Sequence, residues 1–377
     1  MTGTTKSARK AFILYSTADS GHCMAAMSLA KSFKIKEPSL EIILINALEF
    51  ISPTFENFAH GLYIWFIKNS RKIHDSLWGN QLFYRKANPI KKILLAPTYR
   101  KFKKYYDEHK PCVVICTQVV PCAVFSAIRK KSREAFKLYA VITDYDVHPF
   151  WLMDNVDGYF VATDEMKDKL ISNDIPADKI IVSGIPIDPK FSTAATLIKK
   201  ELVLGHNFAV PRILLMAGSM GVGPLDIIAS ELDKLDLNFE LQIVCGKNKR
   251  LKKKLDKRSA NFKHKVEIYG FLDDIITLML LANLLITKPG GLTSSEALAL
   301  GLPMIIYSSV GGQESRNLEY LQNQEAIYRV KKIKDIGVTV RNFLDDNNFS
   351  QKIISNAKKI SRPNAALDIA EAISKSI

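Results

Sequence analysis

Ile286-Thr-Lys-Pro-Gly-Gly-Leu-Thr-Ser-Ser-Glu-Ala-Leu-Ala-Leu-Gly-Leu-Pro303 is the stretch that decides the fold. An apolar strand ends at Thr287, two glycines allow a tight turn and close backbone approach, and a helical pattern follows. Thr293 or Ser294 is placed to cap that helix, and Glu296 to fall in its first turn. The uncapped N–H groups of such a helix form an anion site of the size of a diphosphate. A carboxylate nearby could accept hydrogen bonds from a ribose diol, as in dinucleotide folds. An ordinary capped helix with an acidic first turn would read the same way.

Outward from this stretch the strand–turn–helix pattern recurs. Met216-Ala-Gly-Ser-Met-Gly-Val-Gly-Pro224 is a second glycine loop, with Gly218 and Ser219 able to offer backbone N–H groups to phosphate. Ser308–Asn317 is a polar loop after the next strand, and its Gln313, Glu314 and Asn317 carry the paired donors and acceptors that read sugar hydroxyls. Candidate strands are 11–16, 41–46, 112–117, 137–142 and 159–162, then 212–217, 240–245, 266–269, 284–287 and 303–307. Most are continuously apolar, as in parallel sheets covered on both faces. Alternation of strands and helices predicts doubly wound α/β units. The pattern restarts near Arg212 after a looser stretch from Ser183 to Val210. Two domains are therefore expected, 1–185 and 186–377, facing each other across a cleft, with the last helix free to pack back on the first domain.

The amino-terminal half opens with Tyr15-Ser-Thr-Ala-Asp-Ser-Gly-His-Cys-Met-Ala-Ala26, a strand, a turn and a helix with His22 at its start. Val141-Ile-Thr-Asp-Tyr-Asp-Val-His-Pro-Phe-Trp151 places Asp144, Asp146 and His148 just past another strand. Asp-x-Asp is also a metal-binding pattern, but a two-carboxylate match arises often by chance. General-base service to a hydroxyl nucleophile is the better use of Asp144 or His148.

Of 377 residues, 47% are hydrophobic and 24% charged, which excludes a disordered chain, a collagen-like repeat and a coiled coil. The 53 basic and 38 acidic residues leave a net charge of +15, so an anionic partner is expected. No apolar run is long enough to span a bilayer. The first apolar run, 11–15, imitates a signal peptide but is too short for one and reads as a strand. Five scattered cysteines fit a reducing compartment. From Phe55 to Tyr106 aromatics and basic residues crowd together, among them Trp65, Trp78, Arg85 and Lys86. That mixture suits a membrane interface. It could also clamp a single nucleic acid strand, or be core aromatics beside a solvated charged face. The run Lys247–Arg258 reads as an exposed helix face.

Taken together these motifs resemble the lipid glycosyltransferases that include monogalactosyldiacylglycerol synthase and processive diacylglycerol glucosyltransferases, in glycosyltransferase family 28. The resemblance rests on SGHCMAA (20–26), TDYDVHPFW (143–151), DGYFVAT (157–163), VSGIPIDPKF (182–191), TKPGGLTSSEA (287–297) and GQESRN (312–317). It implies a GT-B fold, an amino-terminal domain for acceptor and membrane, and a carboxyl-terminal domain for a UDP-sugar. It implies inversion at the anomeric carbon, a β-glycolipid product, and neither a cofactor nor a metal. Carried over, Gly290, Gly291 and Ser294 face the diphosphate beside Lys288, Glu296 faces ribose, and Phe271 lies near uracil. Gln313, Glu314 and Asn317 face the donor sugar, while Asp144, His22 or His148 serves as the base. The partners implied are a UDP-sugar, a lipid acceptor such as diacylglycerol and an anionic membrane surface, not nucleic acid, with the protein peripheral on the cytoplasmic face. A UDP-sugar 2-epimerase on the same scaffold and a non-catalytic UDP-sugar or membrane-binding protein are the alternatives.

Overall fold

The computed structural model describes residues 9–18, 20–50, 96–132, 134–201, 210–307 and 312–377. They form two compact units: one holds the described residues up to Asp188 together with Ala365–Ile377, the other Pro189–Asn364. Trp65, Trp78, Arg85 and Lys86 lie outside the described residues.

The first unit is built on the parallel sheet β2-β1-β3-β4-β5-β6. Its strands are β1 (Lys10–Tyr15), β2 (Glu41–Asn46), β3 (Val113–Cys116), β4 (Lys137–Val141), β5 (Gly158–Val161) and β6 (Ile180–Val182). Helices α1 (Gly21–Lys36), α2 (Ala96–His109), α3 (Val119–Ser132) and α4 (Asp164–Ile171) connect them. The cores of the inner strands β1, β3, β4 and β5 are buried, which is why they read as unbroken apolar runs rather than alternating ones, whereas the edge strands β2 and β6 expose Leu44 and Ile181. One face of β1 and β3 packs through Ile13 and Ile115 onto Leu29 and Phe33 of α1 and onto Ile369 and Ile373 of the final helix, α13 (Ala365–Ser374). The other face is aromatic. Phe12 meets Phe125 with ring centres 6.3 Å apart, and Phe102 meets Phe125 at 5.5 Å. Phe102 and Tyr106 are thus core side chains rather than membrane-facing ones, while Arg100, Lys101 and Lys104 beside them are exposed. Each such ring, fully buried, contributes about 1.5–3 kcal/mol.

The second unit begins with α5 (Pro189–Glu201) and has strands β7 (Arg212–Met216), β8 (Glu240–Val244), β9 (Lys265–Tyr269), β10 (Leu284–Thr287), β11 (Met304–Ile306) and β12 (Tyr328–Arg329). Its helices are α6 (Leu225–Asp233), α7 (Lys249–Ser259), α8 (Ile276–Leu281), α9 (Gly291–Leu300), α10 (Gln313–Asn323), α11 (Ile336–Asp345) and α12 (Asn347–Ile360). The sheet order is β12-β11-β10-β7-β8-β9, all parallel. Numbered from its own first strand, that is the 3-2-1-4-5-6 arrangement of a dinucleotide-binding fold. The doubly wound α/β fold class expected from sequence is borne out. Strands β6 and β12 were not expected: edge strands of three and two residues carry too little apolar periodicity to stand out.

Candidate functional site

In an open parallel sheet, ligands settle beyond the carboxyl ends of the strands where the chain reverses its direction of winding. In the second unit that point lies between β7 and β10. Both glycine motifs follow these two strands. The β7 loop turns on Gly218 and Gly221, at φ +68° and +61°. The Gly221 N–H donates to the Gly218 carbonyl at 3.1 Å. This loop interlocks with the one after β8. A Cβ on Gly246 (φ +55°) would lie 2.2 Å from the Ser219 carbonyl oxygen, and one on Gly221 would lie 1.8 Å from that of Cys245. The crossing is fastened by the Lys247 N–H donating to Ser219 O (2.8 Å) and Asn248 Nδ2 donating to Gly221 O (3.1 Å). These positions therefore admit only glycine without moving main chain.

After β10 the chain leaves the sheet through Lys288-Pro289, whose proline holds Lys288 extended. It turns at Gly290, the N-cap of α9 (φ −72°, ψ 133°), which offers no side chain to the helix. Two expectations are corrected here. The helix starts at Gly291, so Thr293 and Ser294 lie inside it rather than at its cap, and Glu296 sits in the second turn rather than the first. The cause is the extended glycine, which lets the helix start three residues early. In consequence the N–H groups of Gly291, Leu292 and Thr293 donate no hydrogen bond to the described residues, the first helical bond being Ser294 N–H to Gly290 O at 2.9 Å. The hydroxyls of Ser294 and Thr287 are fully buried and have no partner among the described residues, as have Tyr307 Oη and Gln313 Oε1. Buried polar atoms are almost always satisfied, so such a set at the strand ends points to a polar ligand.

Several of the expected residues are held together. Lys288 Cε comes 3.5 Å from where a Gly218 Cβ would stand, and Lys288 Nζ pairs with Glu314 at 3.0 Å. Asn317, expected at the donor sugar, is 1% exposed and donates from Nδ2 to the Pro289 carbonyl at 3.1 Å, so it fixes the turn that presents Gly290 and Gly291. Lys247 Nζ lies over the Phe271 ring at 5.3 Å, at the ends of β8 and β9. Sequence reading missed Lys247, Asn248 and Tyr307; a glycine right after a strand, Gly246, was the available signal for the first two. Tyr307 is recognisable only in three dimensions, where burial pushes its hydroxyl pKa up and a Cβ on Gly223 would meet it at 2.6 Å. Glu296 is buried in α9.

In the first unit the corresponding reversal falls between β1 and β3. Ser20 caps α1 by accepting from the Cys23 N–H at 3.3 Å, which places His22 in the first turn. His22 Nδ1 lies 2.9 Å from the Thr117 carbonyl and 2.9 Å from Thr143 Oγ1. Thr117 returns a bond from its Oγ1 to the His22 carbonyl at 2.9 Å. A carbonyl only accepts, so Nδ1 carries the proton and the neutral ring leaves its lone pair on Nε2. The other candidates are placed differently. His148 Nδ1 accepts from the Phe150 N–H at 3.2 Å and caps the turn Pro149–Trp151, which puts its proton on Nε2. Asp146 is paired with Lys169 at 2.6 Å, and Asp144 is half-buried just past β4.

Against known proteins, the family described as monogalactosyldiacylglycerol (MGDG) synthase matches residues 22–187, and glycosyl transferases group 1 matches 228–360. The processive diacylglycerol β-glucosyltransferase of Bacillus pumilus (strain SAFR-032) is 30% identical over 374 residues, covering 97% of this chain and 94% of its own. That of Bacillus subtilis (strain 168) is 31% identical over 291 residues, 73% of this chain and 75% of its own. Among solved structures, Acinetobacter baumannii MurG aligns with a TM-score of 0.64 at 14% identity, over 97% of this chain and 99% of that one. A UDP-GlcNAc 2-epimerase from Neisseria meningitidis bound to UDP-GlcNAc aligns at 0.61 and 14%, over 97% and 100%. Transferases and epimerases thus share this GT-B fold, and likeness of fold alone does not choose between them. Sequence identity over nearly the whole length does: the chain belongs to the family of processive diacylglycerol β-glucosyltransferases.

Proposed function

We propose that the protein is an inverting hexosyltransferase that moves a sugar from a UDP-sugar to the hydroxyl of diacylglycerol, at the cytoplasmic face of an anionic membrane. The observation that carries this is the end of the second unit's sheet, where free α9 amides, Lys288 and unpartnered buried hydroxyls converge on the winding reversal of a nucleotide fold. Donor binding is assigned to this unit. Gly290, Gly291 and Ser294 face the diphosphate, Glu296 the ribose and Phe271 the uracil. Gln313 and Glu314 read the sugar.

Charge grows on the departing diphosphate as the bond to C1 breaks. Fixed amide dipoles and Lys288 stabilise it without reorganising, and loss of one such donor costs about 3–4 kcal/mol of barrier. The acceptor hydroxyl loses its proton as it attacks C1 from the opposite face. His22 is assigned as the base, since its Nε2 lone pair is set by the Thr117 carbonyl on Nδ1. His148 is less suited, because its cap holds the proton on Nε2. Asp144, close to Thr143 in sequence, is the remaining alternative.

The test is incubation of the purified protein with labelled UDP-glucose, UDP-galactose and UDP-GlcNAc, with and without mixed micelles of diacylglycerol, read by thin-layer chromatography and for altered nucleotide sugar. A β-linked hexosyl-diacylglycerol is the expected product. Conversion of UDP-GlcNAc without acceptor would make it an epimerase. No transfer despite UDP binding would make it a binding protein.

A further inference from the structure

Helix α7 of the second unit follows Gly246 and starts from the Asn248 cap, whose Oδ1 accepts from the Leu251 N–H at 3.0 Å. Seven of its eleven residues are Lys or Arg and one is acidic. Only Leu251 and Leu255 are buried, fastening the helix to the sheet. Three of the cations are occupied. Lys252 pairs with Asp256 at 2.8 Å, Lys254 pairs with Asp226, and Arg258 donates to Ser230 Oγ at 2.8 Å and lies over Phe262. The other four, Lys249, Arg250, Lys253 and Lys257, are exposed, and no described residue pairs with them.

Their spacing is informative. At about 100° per residue the four fall within an arc of roughly 100°, centred roughly 170° from the Leu251–Leu255 anchor. They form one outward row. Lys249, Lys253 and Lys257 are successive i,i+4 neighbours of like charge, as are Arg250 and Lys254, and such pairs destabilise a helix by about 0.2–0.5 kcal/mol each. A face serving only solubility would alternate signs, as Lys252–Asp256 does one strip away. The row therefore opposes the helix's own stability, and an external array of negative charge is what relieves it.

We propose that this row of α7 is a docking face for an anionic lipid surface, an electrostatic membrane contact on the donor-binding unit, separate from the aromatic–basic segment of the first. The proposal deepens the lipid-directed reading above and rests on it for the choice of partner. A bilayer rich in phosphatidylglycerol presents a flat sheet of fixed phosphate charge. A row of four flexible cations about 12 Å long, from 1.5 Å per residue, meets it without needing any particular headgroup geometry.

The experiment is sedimentation of the full-length protein with vesicles of phosphatidylcholine, with or without a one-third share of phosphatidylglycerol. The wild type is compared with the quadruple variant Lys249→Gln, Arg250→Gln, Lys253→Gln, Lys257→Gln. Each cation near the surface is worth about fivefold in partitioning. A fall of tenfold or more is expected on the anionic vesicles, none on pure phosphatidylcholine, and Lys→Arg replacements at 249, 253 and 257 should retain binding. Melting should show the Gln variant folded and no less stable, since like-charge repulsion is relieved. A fall of less than tenfold, or no wild-type binding to anionic vesicles, overturns the proposal. So does an equal fall in UDP affinity by calorimetry, which would make the row a nucleotide-steering device. Tighter binding of a single-stranded oligonucleotide than of vesicles, lost in the variant, also overturns it. No donor or turnover enters the vesicle assay, so its outcome is independent of whether sugar transfer is found.

Discussion

The two units place different chemistry at the ends of similar sheets. Beyond β7, β8 and β10 the second unit presents main chain: Gly218, Gly221 and Gly246 at positive φ, and α9 amides behind a glycine cap. Beyond β1, β3 and β4 the first unit presents side chains: His22, Thr117 and Thr143 in one hydrogen-bonded group, beside the Ser20 cap of α1. The difference matches the roles proposed for the two ends. A diphosphate is bound by many weak dipoles that must come close, so side chains are removed from its path. A proton is moved by one titratable atom, so that atom must be held in one tautomer and one direction.

The sharpest way to separate the two ends is His22→Ala. If the first unit supplies only proton chemistry, kcat should fall about 10²–10⁴-fold while the calorimetric Kd for UDP stays as it was. His22→Gln should not rescue turnover, although its amide can still donate to the Thr117 carbonyl. A loss of UDP affinity parallel to the loss of rate would erase the proposed division of labour.

A smaller effect is expected from Gly246→Ala. The added Cβ would meet the Ser219 carbonyl at 2.2 Å on a backbone at φ +55°, so the interlocked loops must part. Strain of this kind costs about 1–3 kcal/mol, and UDP affinity should drop at least tenfold as Gly218 and Ser219 are displaced. The counterpart in the first unit is Gly21→Ala. Gly21 is exposed and free of positive φ, and stability there should change by no more than about 0.5 kcal/mol. Equal losses from both substitutions would show that the glycines of the second unit are not special.

What the sequence disclosed divides along the same line. Continuously apolar runs announced ten of the strands, because burial on both faces leaves a one-dimensional trace. Glycines after a strand announced the tight turn beyond β7, since the positive φ of Gly218 and Gly221 is also written residue by residue. Contacts between distant residues were not legible. That Asn317 holds the Pro289 carbonyl, or that Thr117 orients His22 across 95 residues, depends on strand order, which no local pattern encodes. The start of α9 was misplaced because Ser and Thr are the stronger capping residues, and the pull of an extended Gly290 is visible only once its ψ is known.

The smallest expected effect concerns how each unit is clipped together. Glu371 on α13 is bonded by Lys36 of α1 at 2.7 Å and by Lys375 at 2.8 Å, and these cations hold its carboxyl down to about 2. In the second unit Glu240 of β8 is lowered by Lys265 and Arg212 on the neighbouring strands β9 and β7. Both are depressed carboxylates, so each stabilises fully above the ordinary carboxylate range and stops doing so as pH falls through its folded value. Glu371→Gln should therefore lower Tm by about a degree or two at pH 7, an effect screened by salt, and the gap to wild type should close as pH falls from about 4.5 towards 2. Glu240→Gln should move Tm less, because strand ladders already hold its partners in register, whereas Glu371 helps hold a helix 335 residues from its partner on α1. A gap for Glu371→Gln that persists undiminished at pH 2 would show that what Glu371 contributes to holding α13 does not come from its ion pairs with Lys36 and Lys375.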